Sequence, residues 1–284
     1  MSEGGNVKVL NETGGGGGGG GGQDQDVDSV AVSQRLQKAM LKMTGKFLDE
    51  ATGKVNYASL RSSDEFKEYC ELTGQLRSVD VEKLDEKEKL AFFINVYNAL
   101  TVHSLTEIQG VRSIDSALDV PAFWSSHAYR IGPFVFSLDD VEHGILRVNK
   151  AHPSTGRPVM AKDDSRLRYR VSDLEPRIHF ALNCGALSCP MVRVYNSANL
   201  EVALEGATRS YLTQEVEIKD DVVRLPEILS WYLDDFAPDQ LGMLRWIKTY
   251  LEEKDQVTLD ALTAAGGSAG PKVEFFYNWS LNKL

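Results

Sequence analysis

The stretch Pro176–Arg193 reads PRIHFALNCGALSCPMVR and predicts a buried strand followed by a turn with reactive side chains. Ile178, Phe180 and Leu182 alternate with other residues, which is the pattern of a strand with one buried face. The tripeptide Asn183–Gly185 then ends the strand, because glycine adopts positive φ at little cost. A side chain directly after a strand is held by the sheet and faces open space, so a cysteine there suits a nucleophile or a metal ligand.

The composition describes an ordinary globular protein of 284 residues, with 42% hydrophobic residues and a net charge of −10. The negative charge disfavours nucleic acids and anionic membranes, because both are bound by clustered Lys and Arg. The sequence has no run of about 18 apolar residues to span a bilayer and no secretory signal at its start. Three cysteines in so long a chain do not make a disulfide scaffold. We therefore expect a cytoplasmic protein with free thiols, no nucleic-acid or membrane partner and no cofactor.

The chain divides at about residue 30. Residues 1–30 contain nine consecutive glycines and an acidic run, which predicts a disordered tail. Residues 31–284 show no repeat or further boundary and predict a single globular domain, with its core from about residue 60 to 284. Helices are predicted from Ser33 and over Asp64–Leu76, 85–108, 137–148, Leu200–Glu217, Glu227–Phe236 and Gln240–Leu251. Strands are predicted at Tyr129–Ile131, Phe134–Phe136, Val216–Ile218, Val222–Leu225 and after Gly266–Pro271. The fold class is therefore α+β, a mostly helical domain with a central buried helix and a small mixed β-sheet.

The predicted helix over residues 85–108 is the strongest helical signal in the chain. It is apolar nearly all round, so other elements must cover most of its sides. Asn95 and Asn98 share a narrow face of this helix with small residues. A buried amide without a partner costs about 1–3 kcal/mol, so each must form hydrogen bonds. Either they hold a neighbouring segment in place, or one of them positions a catalytic group.

A second helix with an unusual polar residue is predicted at 137–148. On a helical projection Glu142 falls inside the apolar stripe, where an ionised carboxylate needs a partner or a raised pKa. His143 lies at the edge of the same face. Two interpretations are open: an internal ion pair with Arg147 or Arg177, or a functional carboxylate beside a histidine.

Five separated motifs together resemble the family catalogued as domain of unknown function 547. The resemblance covers roughly Leu60 to the C-terminus and implies an α+β domain, without implying an activity. The motifs, in chain order, are LAFFINVYNALTVH (Leu90–His103), SLDDVEHGILR (Ser137–Arg147), RIHFALNCGALSCP (Arg177–Pro190), SWYLDDF (Ser230–Phe236) and FYNWSLN (Phe276–Asn282).

One functional hypothesis is a cysteine-dependent hydrolase or acyl transferase with Cys184 as the nucleophile. Such chemistry needs a histidine to move the proton, a group to orient that histidine and an amide to stabilise the oxyanion. On a regular strand His179 and Cys184 face opposite sides, so His179 is a poorer partner than its proximity suggests. His143 with Glu142, or His103, would have to reach the thiol through the fold. The candidate catalytic residues are Cys184, His143, Glu142, His179, Asn95, Asn98 and His103.

Three alternatives stand beside this hypothesis. The first is a non-catalytic interaction or scaffold domain whose motif residues form a buried polar network. The second is a metal site built from Cys184, Cys189, His179 and a distant histidine. The third is a thiol switch between the two cysteines. Catalysis requires a cysteine, a histidine and a carboxylate or amide to converge on an open pocket, whereas a scaffold requires them to be sealed and paired. The partner is accordingly a small substrate or another protein.

Overall fold

The computed structural model describes residues 7–12, 28–49, 51, 54–266 and 270–284. Helices dominate and the strands form small sheets, so the prediction of an α+β domain is confirmed. The helices are α1 (Ser29–Lys46), α2 (Tyr57–Arg61), α3 (Asp64–Thr73), α4 (Glu86–Gln109), α5 (Phe123–Ser126), α6 (Leu200–Glu215), α7 (Ile228–Trp231), α8 (Leu233–Phe236), α9 (Gln240–Lys248) and α10 (Glu253–Gly266). The strands are β1 (Lys8–Val9), β2 (Leu48–Asp49), β3 (Lys54–Val55), β4 (His127–Ile131), β5 (Phe134–Ser137), β6 (Glu217–Lys219), β7 (Val222–Pro226) and β8 (Lys272–Phe276).

Helix α4 is the predicted central helix. A capping box begins it: the Asp85 carboxylate accepts from the Glu88 backbone N–H at 2.8 Å, and the Glu88 carboxylate accepts from the Asp85 N–H at 3.1 Å. Almost every residue from Ala91 to Thr106 is buried. Helices α1 and α2 and the strand β4 pack around it. The lack of a polar face in the sequence is thus explained by burial on all sides.

The strands form two three-stranded mixed sheets and a short β2–β3 pair among the described residues. The predicted hairpin of β4 and β5 is present, with Ile131 opposite Phe134 and Gly132 at a φ of 52° in the turn. The predicted hairpin of β6 and β7 is also present, and β8 adds to it in parallel. Helix α10 was not predicted. None of the described helices combines the length and the apolar character needed to cross a membrane.

The prediction of a disordered tail over 1–30 is wrong for residues 7–12. Strand β1 pairs in parallel with β4, and the next residues, Leu10 and Asn11, are buried. The Asn11 amide donates to the Thr73 and Arg130 carbonyl oxygens at 3.1 and 2.9 Å and accepts from the Arg130 N–H at 2.8 Å. The Asn11 side chain thereby provides hydrogen-bond partners for three backbone groups. Residues 28–30 of the predicted tail form the N-cap and the start of α1, and residues 1–6 and 13–27 lie outside the described residues.

The strand predicted at 178–182 is instead a 3₁₀ helix over Pro176–Phe180. Pro176 occupies its first turn, and the Glu175 side chain accepts from the Arg177 N–H at 3.0 Å as a cap. The apolar alternation has another cause, because this segment lies between two cores. Ile178 packs in the main core, whereas Phe180 packs in a second cluster with α8 and α9. Side chains that point in different directions are therefore buried, and the resulting alternation of apolar residues resembles the sequence pattern of a strand.

Candidate active site

A cavity of about 530 Å³ contains most of the predicted site residues. That volume is in the range of small-molecule sites. Leu118, Pro153, Ser154 and Ser230 on its border are exposed, so the cavity opens to solvent. Its polar lining residues include Tyr97, Asp139, Glu142, His143, His152, His179, Cys184, Cys189, Tyr232 and Tyr277.

Two thiols meet on one wall of the cavity. The Sγ atoms of Cys184 and Cys189 are 2.8 Å apart, and the Tyr277 hydroxyl lies 3.4 and 3.3 Å from them. The Cys184 backbone N–H also donates to the Cys189 Sγ at 3.1 Å. These donors outweigh burial and lower the pKa of Cys189, while the hydrogen bond with Cys189 and burial raise the pKa of Cys184. Of the two thiols, Cys189 is therefore the one that loses its proton more readily.

The turn that carries Cys184 is held by two amide side chains. Asn98 on α4 donates to the Ala181 carbonyl at 2.9 Å and accepts from the Asn183 N–H at 2.8 Å. Asn183 in turn donates to the Pro190 carbonyl at 2.8 Å and so closes the loop. Gly185 has a φ of 91°, and a Cβ atom there would lie 2.4 Å from Leu105 Cδ1. Only glycine fits this position, so the turn is rigidly specified.

Asn95 and Asn98 each hold a neighbouring segment in place through hydrogen bonds to its backbone. Asn95 donates to the Tyr195 carbonyl at 2.8 Å and accepts from the Tyr195 N–H at 3.0 Å, just as Asn98 holds the cysteine turn. Both amides are fully buried, and neither lines the cavity. They are therefore framework residues, and Asn98 is the one that supports the cavity wall.

Glu142 lies on a π-helix, Asp140–Leu146, where an ordinary α-helix was predicted. The Arg147 N–H donates to the Glu142 carbonyl at 2.8 Å, a five-residue spacing that widens the helix. The buried Glu142 carboxylate accepts from the Tyr232 hydroxyl at 2.6 Å. Burial raises its pKa, but the neighbouring His143 and the tyrosine hydrogen bonds outweigh it, so the pKa of Glu142 is lowered. The carboxylate is ionised and faces the cavity.

The predicted ion pair of Glu142 with an arginine is wrong. Arg147 binds Asp235 on α8 through two bonds of 2.6 and 3.1 Å, and Arg177 pairs with Glu175 and Glu201. Tyrosine hydroxyls satisfy the Glu142 carboxylate without neutralising its charge.

His179 forms a dyad with Asp235. The His179 Nε2 donates to the Asp235 Oδ2 at 2.9 Å, and the carboxylate is also held by Arg147 and, at 2.7 Å, by Lys150. The His179 ring stacks on Tyr232 with centroids 3.8 Å apart. Nδ1 is left as an acceptor, and it makes no hydrogen bond to another described residue. Burial lowers the pKa of His179 despite the carboxylate, so the neutral ring is oriented as a proton acceptor.

Asp139, His143 and His152 bring ligand-type atoms within 4.8 Å of one another, and they are the only such group among the residues the structure covers. Arg147 Nη1 lies 2.9 Å from His143 Nδ1 and can only donate, while the Ser154 N–H donates to His152 Nδ1 at 3.1 Å. Each ring therefore carries its proton on Nε2, the atom that faces Asp139 at 4.0 and 3.8 Å. A metal ion needs a lone pair there, so this hydrogen-bonded arrangement does not fit a metal ion.

The titration of this group differs from that of free side chains. Burial lowers the pKa of His143 to about 4, and burial with the nearby Glu142 charge raises the pKa of Asp139 to about 7. The metal site expected from Cys184, Cys189 and His179 does not form, since no ligand cluster contains them within the described part of the chain.

His103 belongs to a different network. Its Nε2 lies 3.5 Å from Cys70 Sγ, and its Nδ1 lies 2.8 Å from the Tyr129 hydroxyl. Burial lowers the pKa of His103 to about 3, and the residue does not line the cavity. It is therefore separate from Cys184, with Cys70 as its thiol neighbour.

Sequence reasoning did not single out Asp139, His152, Tyr97, Tyr232, Asp235 or Tyr277. A signal existed for all of them except His152, because the others lie in the five motifs: Tyr97 in LAFFINVYNALTVH, Asp139 in SLDDVEHGILR, Tyr232 and Asp235 in SWYLDDF, and Tyr277 in FYNWSLN. These polar residues are placed in short motifs. Their contacts cross the fold, so only the three-dimensional structure reveals which site they complete.

The fold and the site define an α+β protein with a thiol-lined cavity beside a buried central helix. Residues 81–212 match the family model described as Protein of unknown function, DUF547. This segment includes α4, the π-helix and the cysteine turn, and the match confirms the resemblance that the motifs indicated. Searches of curated proteins and of solved structures gave no match.

Proposed function

We propose that the protein is a cysteine-dependent acyl-transferring enzyme, a hydrolase or an acyl transferase. The observation that carries the proposal is that the Cys184–Cys189 pair and His179, whose ring is hydrogen-bonded to Asp235 behind it, line one cavity open to solvent. A thiolate, a proton acceptor and a carboxylate that orients it are the parts this chemistry needs. Among the described residues no direct hydrogen bond joins His179 to the sulfur of Cys184 or Cys189, so a bound substrate or a water molecule lies between them during the reaction.

The hydrogen bonds favour Cys189 over Cys184 as the attacking sulfur. Cys189 receives the Cys184 N–H and the Tyr277 hydroxyl, and both stabilise a thiolate. In the proposed first step the Cys189 thiol passes its proton through water to His179, the thiolate adds to the acyl carbon, the bond to the leaving group breaks, and the leaving group departs with the proton from His179. In the second step water or another nucleophile attacks the thioester, His179 accepts its proton, and the carbon–sulfur bond breaks to regenerate the thiol with that proton. Asp235 stabilises the imidazolium formed in between.

The first test is alkylation of the reduced, folded protein with limiting iodoacetamide between about pH 5 and 9, read by peptide mass spectrometry. Cys70 is an internal control, because burial raises its pKa to about 11. We expect Cys189 to react at least about tenfold faster than Cys70 at pH 7, since the thiolate is the reactive form. Equal rates at all three thiols, or reaction only on unfolding, would contradict the proposal.

The second test uses p-nitrophenyl acetate as a small acyl donor. We expect a burst of one nitrophenolate per chain from acylation, absent in Cys189→Ser and slowed in His179→Gln. Cys70→Ser is the matched control and should keep the burst. A burst that survives in the Cys184→Ser/Cys189→Ser double variant would place the reaction elsewhere and overturn the assignment.

The second candidate function is a non-catalytic interaction domain. It is favoured by the polar residues that are sealed and paired, namely Asn95, Asn98 and His103. This candidate predicts that no burst occurs and that all three thiols are inert in the folded protein. The same two experiments therefore separate the candidates.

A further inference from the structure

We infer that the cavity binds the ammonium group of a protonated primary alkylamine. The inference names the ligand class of the cavity in which acyl transfer is proposed, but it rests on the charges and rings of the lining and not on the thiol chemistry. It is therefore tested on a variant without the two thiols.

The cavity has an excess of negative charge. Among the described residues its lining includes two carboxylates and no Lys or Arg. Glu142 is ionised, whereas Asp139, with its pKa raised to about 7, carries part of a negative charge at pH 7. Arg147 and Lys150 lie outside the lining and are bound to Asp235 at 2.6 and 2.7 Å. The lining histidines are neutral at pH 7, because burial lowers the pKa of each. A buried carboxylate that meets only hydroxyl groups is incompletely compensated, so a cationic ligand gains free energy by entering.

Aromatic rings cover another wall of the cavity. Trp279 lies at its centre, with ring centroids 5.9 Å from Trp124, 5.3 Å from Trp231 and 4.7 Å from Tyr277. All four rings line the cavity and are partly exposed. The negative face of an indole attracts ammonium ions, and tryptophan is the best aromatic residue for this contact. Rings on one wall and carboxylates on another are the two components of an ammonium site.

The other ligand classes fit less well. A metal ion would meet the Nε2–H groups of His143 and His152, as the hydrogen bonds to their Nδ1 atoms require. An anion would meet Asp139 and Glu142 without a compensating cation in the lining. A neutral apolar molecule would contact the aromatic rings but leave the charge of the Glu142 carboxylate uncompensated. A primary ammonium on a short alkyl chain satisfies both walls and suits a cavity of about 530 Å³.

The test is a titration of the Cys184→Ser/Cys189→Ser variant with n-pentylammonium chloride, followed by calorimetry and tryptophan fluorescence. Pentan-1-ol and sodium pentanoate are ligands of similar size without charge and with negative charge. We expect pentylammonium to bind at least about tenfold more tightly than pentanol, and pentanoate to bind most weakly. Equal affinities for the amine and the alcohol, tighter binding of pentanoate, or no binding of any of the three would overturn the inference.

Further variants test where the ammonium group binds. In the same background, Glu142→Gln and Trp279→Leu should each weaken pentylammonium binding by roughly five- to tenfold, while Trp279→Phe keeps a ring face and most of the affinity. Glu252→Gln removes one exposed carboxylate, paired with Lys254 at 3.2 Å, and is the matched control for the net negative charge. An equal loss in Glu252→Gln and Glu142→Gln would mean non-specific attraction and would overturn the site.

Circular dichroism checks the fold of each variant, and if Trp279→Leu does not fold, Trp279→Phe and Glu142→Gln still decide the question. Because the thiols are absent here, a failure of amine binding leaves the alkylation and burst results for the wild-type chain unaffected.

Discussion

At the scale of single residues, Tyr277 links the two halves of the thiol site. It follows β8 in the chain, 93 residues after Cys184, yet its hydroxyl lies 3.4 and 3.3 Å from the two sulfur atoms. Burial and the nearby thiols keep its own pKa far above the ordinary value, so it keeps its proton and can donate it to one of the two sulfur atoms. A hydrogen bond to a charged group contributes about 1.5–3 kcal/mol, enough to decide whether a thiolate forms near neutral pH.

The first prediction concerns the substitution Tyr277→Phe. Removing the hydroxyl takes one donor from the Cys189 thiolate and raises the pKa of that thiol by roughly one unit. The iodoacetamide profile of Cys189 should therefore move to higher pH by about that amount. Tyr250→Phe, at a tyrosine that does not line the cavity, should leave the profile unchanged. An unshifted profile for Tyr277→Phe would show that the hydroxyl does not stabilise the thiolate.

At the scale of elements, α4 holds two neighbouring segments in place through the same pair of side-chain hydrogen bonds. Asn95 and Asn98 each bind one backbone N–H and one carbonyl of a neighbouring segment, at 2.8–3.0 Å. The segment held by Asn95 is at Tyr195, whereas the segment held by Asn98 carries Cys184. The two asparagines therefore make similar contributions to stability, but only one of them supports the cavity.

The second prediction compares Asn98→Ala with Asn95→Ala. Both should lower the free energy of unfolding by about 1–3 kcal/mol, because each leaves buried backbone groups without partners. Only Asn98→Ala should also change the rate and pH profile of alkylation at Cys184 and Cys189, since it releases the turn. Urea unfolding and peptide mass spectrometry measure the two effects. Identical alkylation in both variants would contradict this division of roles.

At the scale of the whole molecule, all five histidines have a lowered pKa, and burial is the largest cause for each. The values are about 3 for His103 and about 4 for His143, compared with about 6.5 in an unfolded chain. Between the lowered pKa of each histidine and the unfolded value of about 6.5, the unfolded chain binds more protons than the folded protein does. Stability therefore rises with pH across this window and is lost as the pH falls below about 6.5. Asp139 has a raised pKa, so the folded protein binds the proton of this carboxyl group more tightly than the unfolded chain does. Its contribution to stability therefore falls as the pH rises.

The third prediction follows from this difference in proton binding. Between about pH 5 and 6, each histidine that is neutral when folded and protonated when unfolded contributes up to about 1.4 kcal/mol of stability per pH unit. His103→Gln should reduce the slope of the unfolding free energy against pH by close to that amount. Urea unfolding at several pH values checks this. A slope equal to that of the wild type would mean that His103 is protonated in the folded protein.

The fourth prediction concerns the attachment of the N-terminal segment to the domain. Asn11→Ala leaves three backbone groups of two other segments without their partner, so we expect a loss of about 1–3 kcal/mol in the free energy of unfolding. Glu12→Gln removes only an exposed pair with Arg130 and should cost less than about 1 kcal/mol. Equal effects of the two substitutions would show that β1 does not dock against β4.

Several features were readable without coordinates because they depend on neighbours in the chain. The all-round apolar character and the acidic first turn of residues 85–108 predicted α4, and Gly132-Pro133 between apolar runs predicted the β4–β5 hairpin. The apolar stripe around Glu142 correctly indicated a buried carboxylate. In each case local periodicity or turn chemistry determines which side chains are buried.

The partners of those residues depend on the folded arrangement. His179 meets Asp235 across 56 residues, and Glu142 meets Tyr232 across 90. Periodicity indicates that a side chain is buried, but it carries no information on which distant side chain is opposite. The segment 176–180 was misread for the same reason, because two cores bury its successive faces and imitate a strand. Local sequence therefore determined most of the elements and the cysteine turn, whereas the contact of His179 with Asp235 and the tyrosine contacts of Glu142 and the two thiols came from long-range packing.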